Sequence, residues 1–391
     1  MAGFLADTSL STGCLVYLNE NPERTLMTAP PTPIRNMAEP PYGQDLLITP
    51  GFVDAHIHPD KTTWGSGWLS RVPAQTLTDL IGNDLRAQLV FQDSVEDRAY
   101  ALMSHAVLNG TMAMRAHVDV APQIGLRNIH GVRAAAERLA PYLEVQVVAF
   151  PQFGLLSNPG TLDLMEASLA EGADLVGGID PTSLDGDLHG HLDAIFALAN
   201  RHGRDLDIHL HDVGADGLAQ MRVIAARTLA EGMQGRVTIG HGFALCDASQ
   251  PDLGSTLDAM AEAGIWMATC ALGADPVPDL DLLERHGVKV ALGSDGVRDA
   301  WSPFGTGSMM DRAHLLGYRT GASTDAELER CFRLATSVGA QLIGSAEVKN
   351  FSGAESADRL EFAASSIPEL VVDRPAPLRV VRGGRAVALQ A

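Results

Sequence analysis

The sequence predicts an α/β fold: a (β/α)8 or TIM barrel with a small flanking β-domain built from both termini. Three observations carry this. Eight short, near-continuously apolar runs recur along the 391 residues, as strands buried on both faces of a parallel sheet require. Helix-like stretches separate the runs, and several close on Gly, the residue that enters the left-handed C-cap most easily. Both ends of the chain break this rhythm.

In order, the runs are LLITPGFVDAH (46–56), TMAMRAHV (111–118), LEVQVVAF (143–150), ADLVGGI (173–179), LDIHLH (206–211), RVTIGH (236–241), GIWMATCA (264–271) and VKVALGSD (288–295). Helical patterns lie between them over 94–110, 131–143, 162–172, 192–203, 218–232 and 257–264. Eight alternations of strand and helix are the pattern of a closed barrel. A doubly wound open sheet usually has fewer strands and often a Gly-rich phosphate loop after the first; here the first run ends in His-Ile-His. Residues 46–345 are therefore expected to form the barrel. Residues 1–45, rich in Pro and polar groups, contain one strand-like run, GCLVYL (13–18). Residues 346–391 contain LRVVRGGRAVAL, with a turn signal at Gly383 and Gly384. Together, 1–45 and 346–391 are expected to form the small β-domain.

Composition narrows the function. Hydrophobic residues make up 46% and charged residues 19%, a globular balance. The net charge of −20 argues against nucleic acid or an anionic membrane as partner. Cys14, Cys246, Cys270 and Cys331 are scattered with no CxxC pair, so neither a thiolate metal site nor a disulfide framework is expected, and a reducing cytoplasm fits. No apolar run approaches the roughly 18 residues of a membrane span, and the N-terminus carries no signal-peptide pattern.

The chemistry concentrates at strand ends. In a strand, residues i and i+2 share a face, so His56 and His58 aim the same way and Ile57 the other. At the C-terminal end of a barrel strand that direction is the active-site mouth. His209 lies late in the fifth run, His241 closes the sixth, and Asp295 closes the eighth. Neutral imidazoles with a carboxylate suit Zn²⁺ or Fe²⁺. His105, His130, His189, His191, His202, His286 and His314 fall outside these strand ends and are assigned to solvated or packing roles. His117 sits near the end of the second run, close enough to approach the mouth, and is read as structural.

The set PGFVDAHIHPDK, HLH, GHG and GSDG, in this order, resembles the amidohydrolase superfamily, with its cytosine deaminase-like branch nearest. RAHVD (115–119), VVAFPQFG (147–154) and SDGVRDAWSPFGTG (294–307) extend the resemblance over about residues 46–345. It implies one divalent ion, Zn²⁺ or Fe²⁺, held by His56, His58, His209 and Asp295. It makes His241 the histidine that orients water or substrate, and it places Gln152 and Trp301 against the substrate. Asp295 takes the proton of the water. The fourth run, ADLVGGID, lacks the lysine that a two-metal site would carboxylate, so one ion is expected. Lys61, on the first loop, either meets an anionic or carbonyl group of substrate or is solvated at the rim.

Two departures stand out. The branch carries a glutamate three residues after the third ligand histidine; here that position is Asp212, expected as the proton shuttle, with His211 as the alternative. The second of two consecutive aspartates is replaced by Gly296, unless Arg298 or Asp299 supplies its contact. The expected function is hydrolytic deamination of a small nitrogen heterocycle other than cytosine. The alternative is cleavage of a C–N bond in an amide, cyclic amide or N-alkyl substituent. Free ammonia against a carboxylate or alkylamine product distinguishes them. A non-catalytic barrel is disfavoured because all four ligand positions are retained. The expected partner is a small-molecule substrate, and the resemblance is compatible with a homo-oligomer.

Overall fold

A computed structural model describes residues 45–389 of the protein. Eight parallel strands pair in chain order: β1 (Phe52–Ile57), β2 (Thr111–Asp119), β3 (Glu144–Phe150), β4 (Leu175–Ile179), β5 (Asp205–Leu210), β6 (Val237–His241), β7 (Trp266–Thr269) and β8 (Lys289–Leu292). A parallel bridge between Ile57 and Asp295 returns the sheet to its first strand, with Asp295 N donating to His56 O at 2.7 Å. The predicted TIM barrel is therefore the observed fold.

The first apolar run divides in two. Leu46–Thr49 pairs antiparallel with Arg359–Ala363 in a separate sheet, and Phe52–Ile57 opens the barrel. Pro50 lacks the N–H that a continuous ladder needs, and Gly51 has no room for a side chain, since a Cβ would lie 2.2 Å from Met112 Sδ. The small sheet continues through Arg379–Arg382 to Arg385–Ala386. Gly383 and Gly384, at φ +55° and +76°, make the two-residue turn that a tight hairpin of this hand requires. GCLVYL lies outside the described residues.

Helices cover the barrel. Those read from the sequence appear at Val95–Leu108, Arg127–Leu139, Thr161–Ala170, Leu188–His202, Gly214–Ala230 and Leu253–Glu262. Gly203, at φ +64°, closes the helix before it as expected. One further helix, Leu77–Val90, precedes the second strand and begins on a capping box in which Thr76 and Asp79 satisfy each other's backbone N–H. The core is continuous from strands to helices. Phe52, fully buried, meets the edge of Phe332 at 5.6 Å between ring centroids, and such a side chain contributes about 1.5–3 kcal/mol on burial.

Where β8 rejoins β1, the backbones nearly touch. A Cβ on Gly293 would lie 2.5 Å from His56 Cβ, 2.6 Å from His56 O and 2.7 Å from His56 N. Most of these neighbours are backbone and cannot move aside. Gly293→Ala is expected to destabilise the protein by at least ~1–3 kcal/mol through overpacking. Urea unfolding checks this, and a wild-type midpoint would contradict it.

Candidate active site at the C-terminal mouth

The strand ends predicted to carry chemistry meet at one end of the barrel. His56 and His58 project inward from β1, their rings 5.3 Å apart. His209 from β5 brings its Nε2 to 3.2 Å from His58 Nε2. Asp295, just beyond β8, reaches them with Oδ1 3.1 Å from His58 Nε2 and 3.8 Å from His56 Nε2. His241, closing β6, lies 4.0 Å from Asp295 Oδ2. Above them opens a cavity of about 550 Å³, lined by His58, His209, His241 and Asp295 among others.

The three substrate residues read from the sequence form one wall of that cavity. Lys61 Nζ donates to Gln152 Oε1 at 2.6 Å and sits 5.4 Å from the Trp301 ring centroid. Lys61 is buried, not solvated at the rim, with Asp84 at 3.6 Å and Asp119 at 3.9 Å from its ammonium.

Asp212 does not reach the cavity. Its carboxylate accepts from Gln220 Nε2 at 2.8 Å, at the base of the following helix. The neighbour, His211, faces inward instead. Asp180, just past β4, takes both the His211 backbone N and Nδ1 at 2.7 Å. The His211 ring stacks on His241 at 4.4 Å and 27°. Strand parity was the signal: 209 and 211 share a face, and 212 opposes them.

Gly296 is explained by Asp299. A Cβ at 296 would lie 2.0 Å from Asp299 Oδ2, so this carboxylate fills the volume that a side chain at 296 would take. Trp301 N and Ser302 N fix its other oxygen, both at 2.9 Å. Asp299 lines the cavity and Arg298 does not.

His117 approaches from below. Its ring lies 4.0 Å from that of His56, and its Nε2 is 3.2 Å from Asp207 Oδ1, while Arg115 donates to Asp207 Oδ2 at 2.9 Å. Donor atoms of His56, His117, Asp207 and His209 fall within 4.8 Å of one another, as do those of His56, Cys270 and Asp295. His117 and Asp207 lie beneath the mouth and do not line the cavity, whereas His58, His209 and Asp295 do. Sequence reasoning missed Asp207, Asp180 and Asp84, because what marks each is a partner from elsewhere in the chain: Arg115 for Asp207, His211 for Asp180 and Lys61 for Asp84.

The sequence pattern of the amidohydrolase family matches residues 44–349. The chain belongs to the amidohydrolase family. It is 32% identical over 351 residues to the N-isopropylammelide isopropyl amidohydrolase of Pseudomonas sp. (strain ADP), covering 87% of this chain and 86% of that protein. The crystal structure of N-isopropylammelide isopropylaminohydrolase from Burkholderia multivorans superposes with a TM-score of 0.83 at 37% identity, covering 88% of this chain and 87% of that one. The 5-methylcytosine deaminase of Klebsiella pneumoniae shares the fold, with a TM-score of 0.77 at 24% identity over 88% and 87% of the two chains. This amidohydrolase is accordingly a metal-dependent enzyme that hydrolyses carbon–nitrogen bonds other than peptide bonds in small molecules.

Electrostatics fit a metal to the mouth. His56 Nδ1 and Nε2, His58 Nδ1 and His209 Nδ1 are buried without hydrogen-bond partners. Burial first, with Lys61 beside His58 and neighbouring imidazoles beside all three, holds the pKa of these imidazoles well below the usual histidine value. Burial opposes charge on Asp295, yet the hydrogen bond from His58 and the surrounding imidazoles keep its pKa well below the usual carboxylate range. Three neutral nitrogens and one anionic oxygen fit a divalent ion. His241 is pushed down to about 4, by burial and then by His211. His211 behaves oppositely: burial works against its charge, but Asp180, with Asp295 and Asp275 beyond, raises its pKa.

A pKa raised on folding stabilises the protein fully below the unfolded value, about 6.5 for histidine, and that contribution is lost as pH rises through the folded value. Asp180→Asn should therefore lower the His211 pKa, because burial then dominates. Imidazole NMR titration reads this directly, and an unmoved His211 would remove Asp180 as the cause.

Proposed function

We propose that this amidohydrolase removes an amine substituent, preferentially an alkylamine, from an oxo-substituted nitrogen heterocycle. The observation that carries this is that His211, held by Asp180, lines one cavity together with Lys61, Gln152 and Asp299. Lys61 is a donor suited to a ring oxygen, and the Asp299 carboxylate is an acceptor suited to a ring N–H. Leu80, Leu272, Leu315 and Phe304 add an apolar side that an alkyl group would fill. The two N-isopropylammelide hydrolases, over 30% identical, support the alkylamine reading over simple ammonia release.

His56, His58, His209 and Asp295 are the residues that would hold the ion, Zn²⁺ or Fe²⁺. When bound, the ion supplies Lewis-acid activation of water, whose pKa falls from about 15.7 towards ~7. The chain's own groups do the rest. Asp295 accepts the proton released from the attacking water, and neutral His241, 4.0 Å from Asp295, orients that water. As the new C–O bond forms at the ring carbon, a protonated His211, its Nδ1 held by Asp180, delivers a proton from its other nitrogen to the departing nitrogen. The C–N bond then breaks and the amine leaves with its electron pair and that proton. Asp212 has no part in this reading.

Zinc or iron as the ion, a reducing cytoplasm and a homo-oligomeric state belong to the same proposal, as does division of the chain into a barrel ending near 345 and a small β-unit of 1–45 and 346–391, which also takes in Leu46–Thr49. No helix among the described residues is long and apolar enough to cross a membrane.

The test is product identification. Metal-loaded protein should release an alkylamine from N-alkylamino dihydroxytriazines, and chelation should abolish it; ammonia from cytosine, isocytosine or a pterin instead would favour plain deamination. Release of neither, with metal firmly bound, would overturn the proposal. His209→Ala should lose its metal while keeping the circular dichroism of the parent. His211→Asn should keep its metal and lose about 10²–10⁴-fold in turnover, whereas Asp212→Asn should stay within a few-fold. Equal losses in the last two would restore Asp212 to the mechanism.

A further inference from the structure

Beneath the substrate wall lies a buried cage of carboxylates that the reaction itself does not use. Asp60, Asp84 and Asp119 are fully buried, and Lys61 is the cation among them. Gln88 Nε2 donates to Asp119 Oδ2 at 2.7 Å and to Asp84 Oδ2 at 3.3 Å. Asp60 Oδ2 accepts from Asp119 N at 2.9 Å and from Asn128 Nδ2 at 2.8 Å. One oxygen of each aspartate, Oδ1 in all three, is left without a hydrogen bond.

Two of these aspartates have a further neighbour. A ring nitrogen of His58 and one carboxylate oxygen each of Asp60 and Asp119 lie within 4.8 Å of one another. His58 Nε2 is turned to Asp295 and His209, so Nδ1, which has no hydrogen-bond partner, is the nitrogen left for the aspartates. Asp119 Oδ1 is also 3.9 Å from Lys61 Nζ. One carboxylate thus stands between a metal-facing imidazole and the ammonium at the substrate wall.

We propose that Asp119 is a positioning residue that couples the metal ligand His58 to Lys61, orienting both through one buried carboxylate. The proposal rests on the metal-site reading above. Physically, a carboxylate beside the second nitrogen of a ligand histidine favours the tautomer that carries its proton there and makes the imidazole a stronger donor. The same carboxylate anchors Lys61, so the arrangement of the substrate wall and that of the metal centre depend on one group. Asp84 differs: it contacts Lys61 but is absent from the His58 group.

Two measurements without substrate test this. Zn²⁺ affinity, by competition with a chromogenic chelator, should fall about tenfold in Asp119→Asn and stay within twofold in Asp84→Asn. In Co²⁺-loaded protein, Lys61→Met should shift the d–d absorption of the parent, although Lys61 is no ligand, and should leave that of Asp119→Asn unmoved. If Asp119→Asn does not accumulate folded, Gln88→Leu, which withdraws the amide from Asp119, replaces it in both measurements. Unchanged Zn²⁺ affinity, or a Lys61→Met shift of equal size in both backgrounds or in neither, overturns the coupling while leaving the metal site intact. A parent protein that takes up neither ion overturns both.

Discussion

Barrel closure at His56 and Asp295 is the constraint on which the site depends. The hydrogen bond from Asp295 N to His56 O joins the last strand end to the first, and at that junction Asp295 Oδ1 lies 3.8 Å from His56 Nε2. Without it, the imidazoles of β1 and the carboxylate after β8 would belong to opposite edges of an open sheet. Polar contacts reinforce the seam from within. Buried Asp54 accepts from Ser294 N at 2.9 Å and His56 N at 3.3 Å, and burial pushes its pKa up to about 6. Arg312 donates to Ser294 O and Cys270 O at 2.9 and 2.8 Å, tying β8 to β7.

The mouth also concentrates backbone strain. Asp180, His241, Ala271, Asp295 and Arg298 all adopt positive φ, and each follows or closes a barrel strand. Such residues cost about 1–3 kcal/mol apiece and persist only where surrounding structure over-determines them. Two of them, His241 and Asp295, line the cavity. The packed barrel offsets the cost, which is the physical sense in which a rigid scaffold supports a reactive rim.

Charge follows the same division of labour. The imidazoles at the centre are held neutral by burial, and the polar groups at the cavity wall are held by partners one layer back: Lys61 by Asp84 and Asp119, His211 by Asp180. A solvated lysine or histidine is free to reorient, whereas these are fixed by their buried partners.

Local pattern alone determined the barrel, its strand sequence and the residues at its strand ends. Buried parallel strands must be apolar throughout, and a two-residue period fixes which side chains share a face. His56, His58, His209, His241 and Asp295 were legible for that reason, Gln152 and Trp301 through the resemblance their motifs carry, and Lys61 only as a first-loop lysine with two open roles. Helix starts were read about four residues late at Arg127, Leu188, Gly214 and Leu253, because first turns are polar and lack the apolar period. Tertiary structure alone decided what depends on distance across the barrel. It turned His211 inward on Asp180 and Asp212 outward on Gln220, folded Asp299 over Gly296, and set Asp119 between His58 and Lys61. Each of these joins residues from different strand ends, whose separation along the chain carries no record of their contact until the sheet closes.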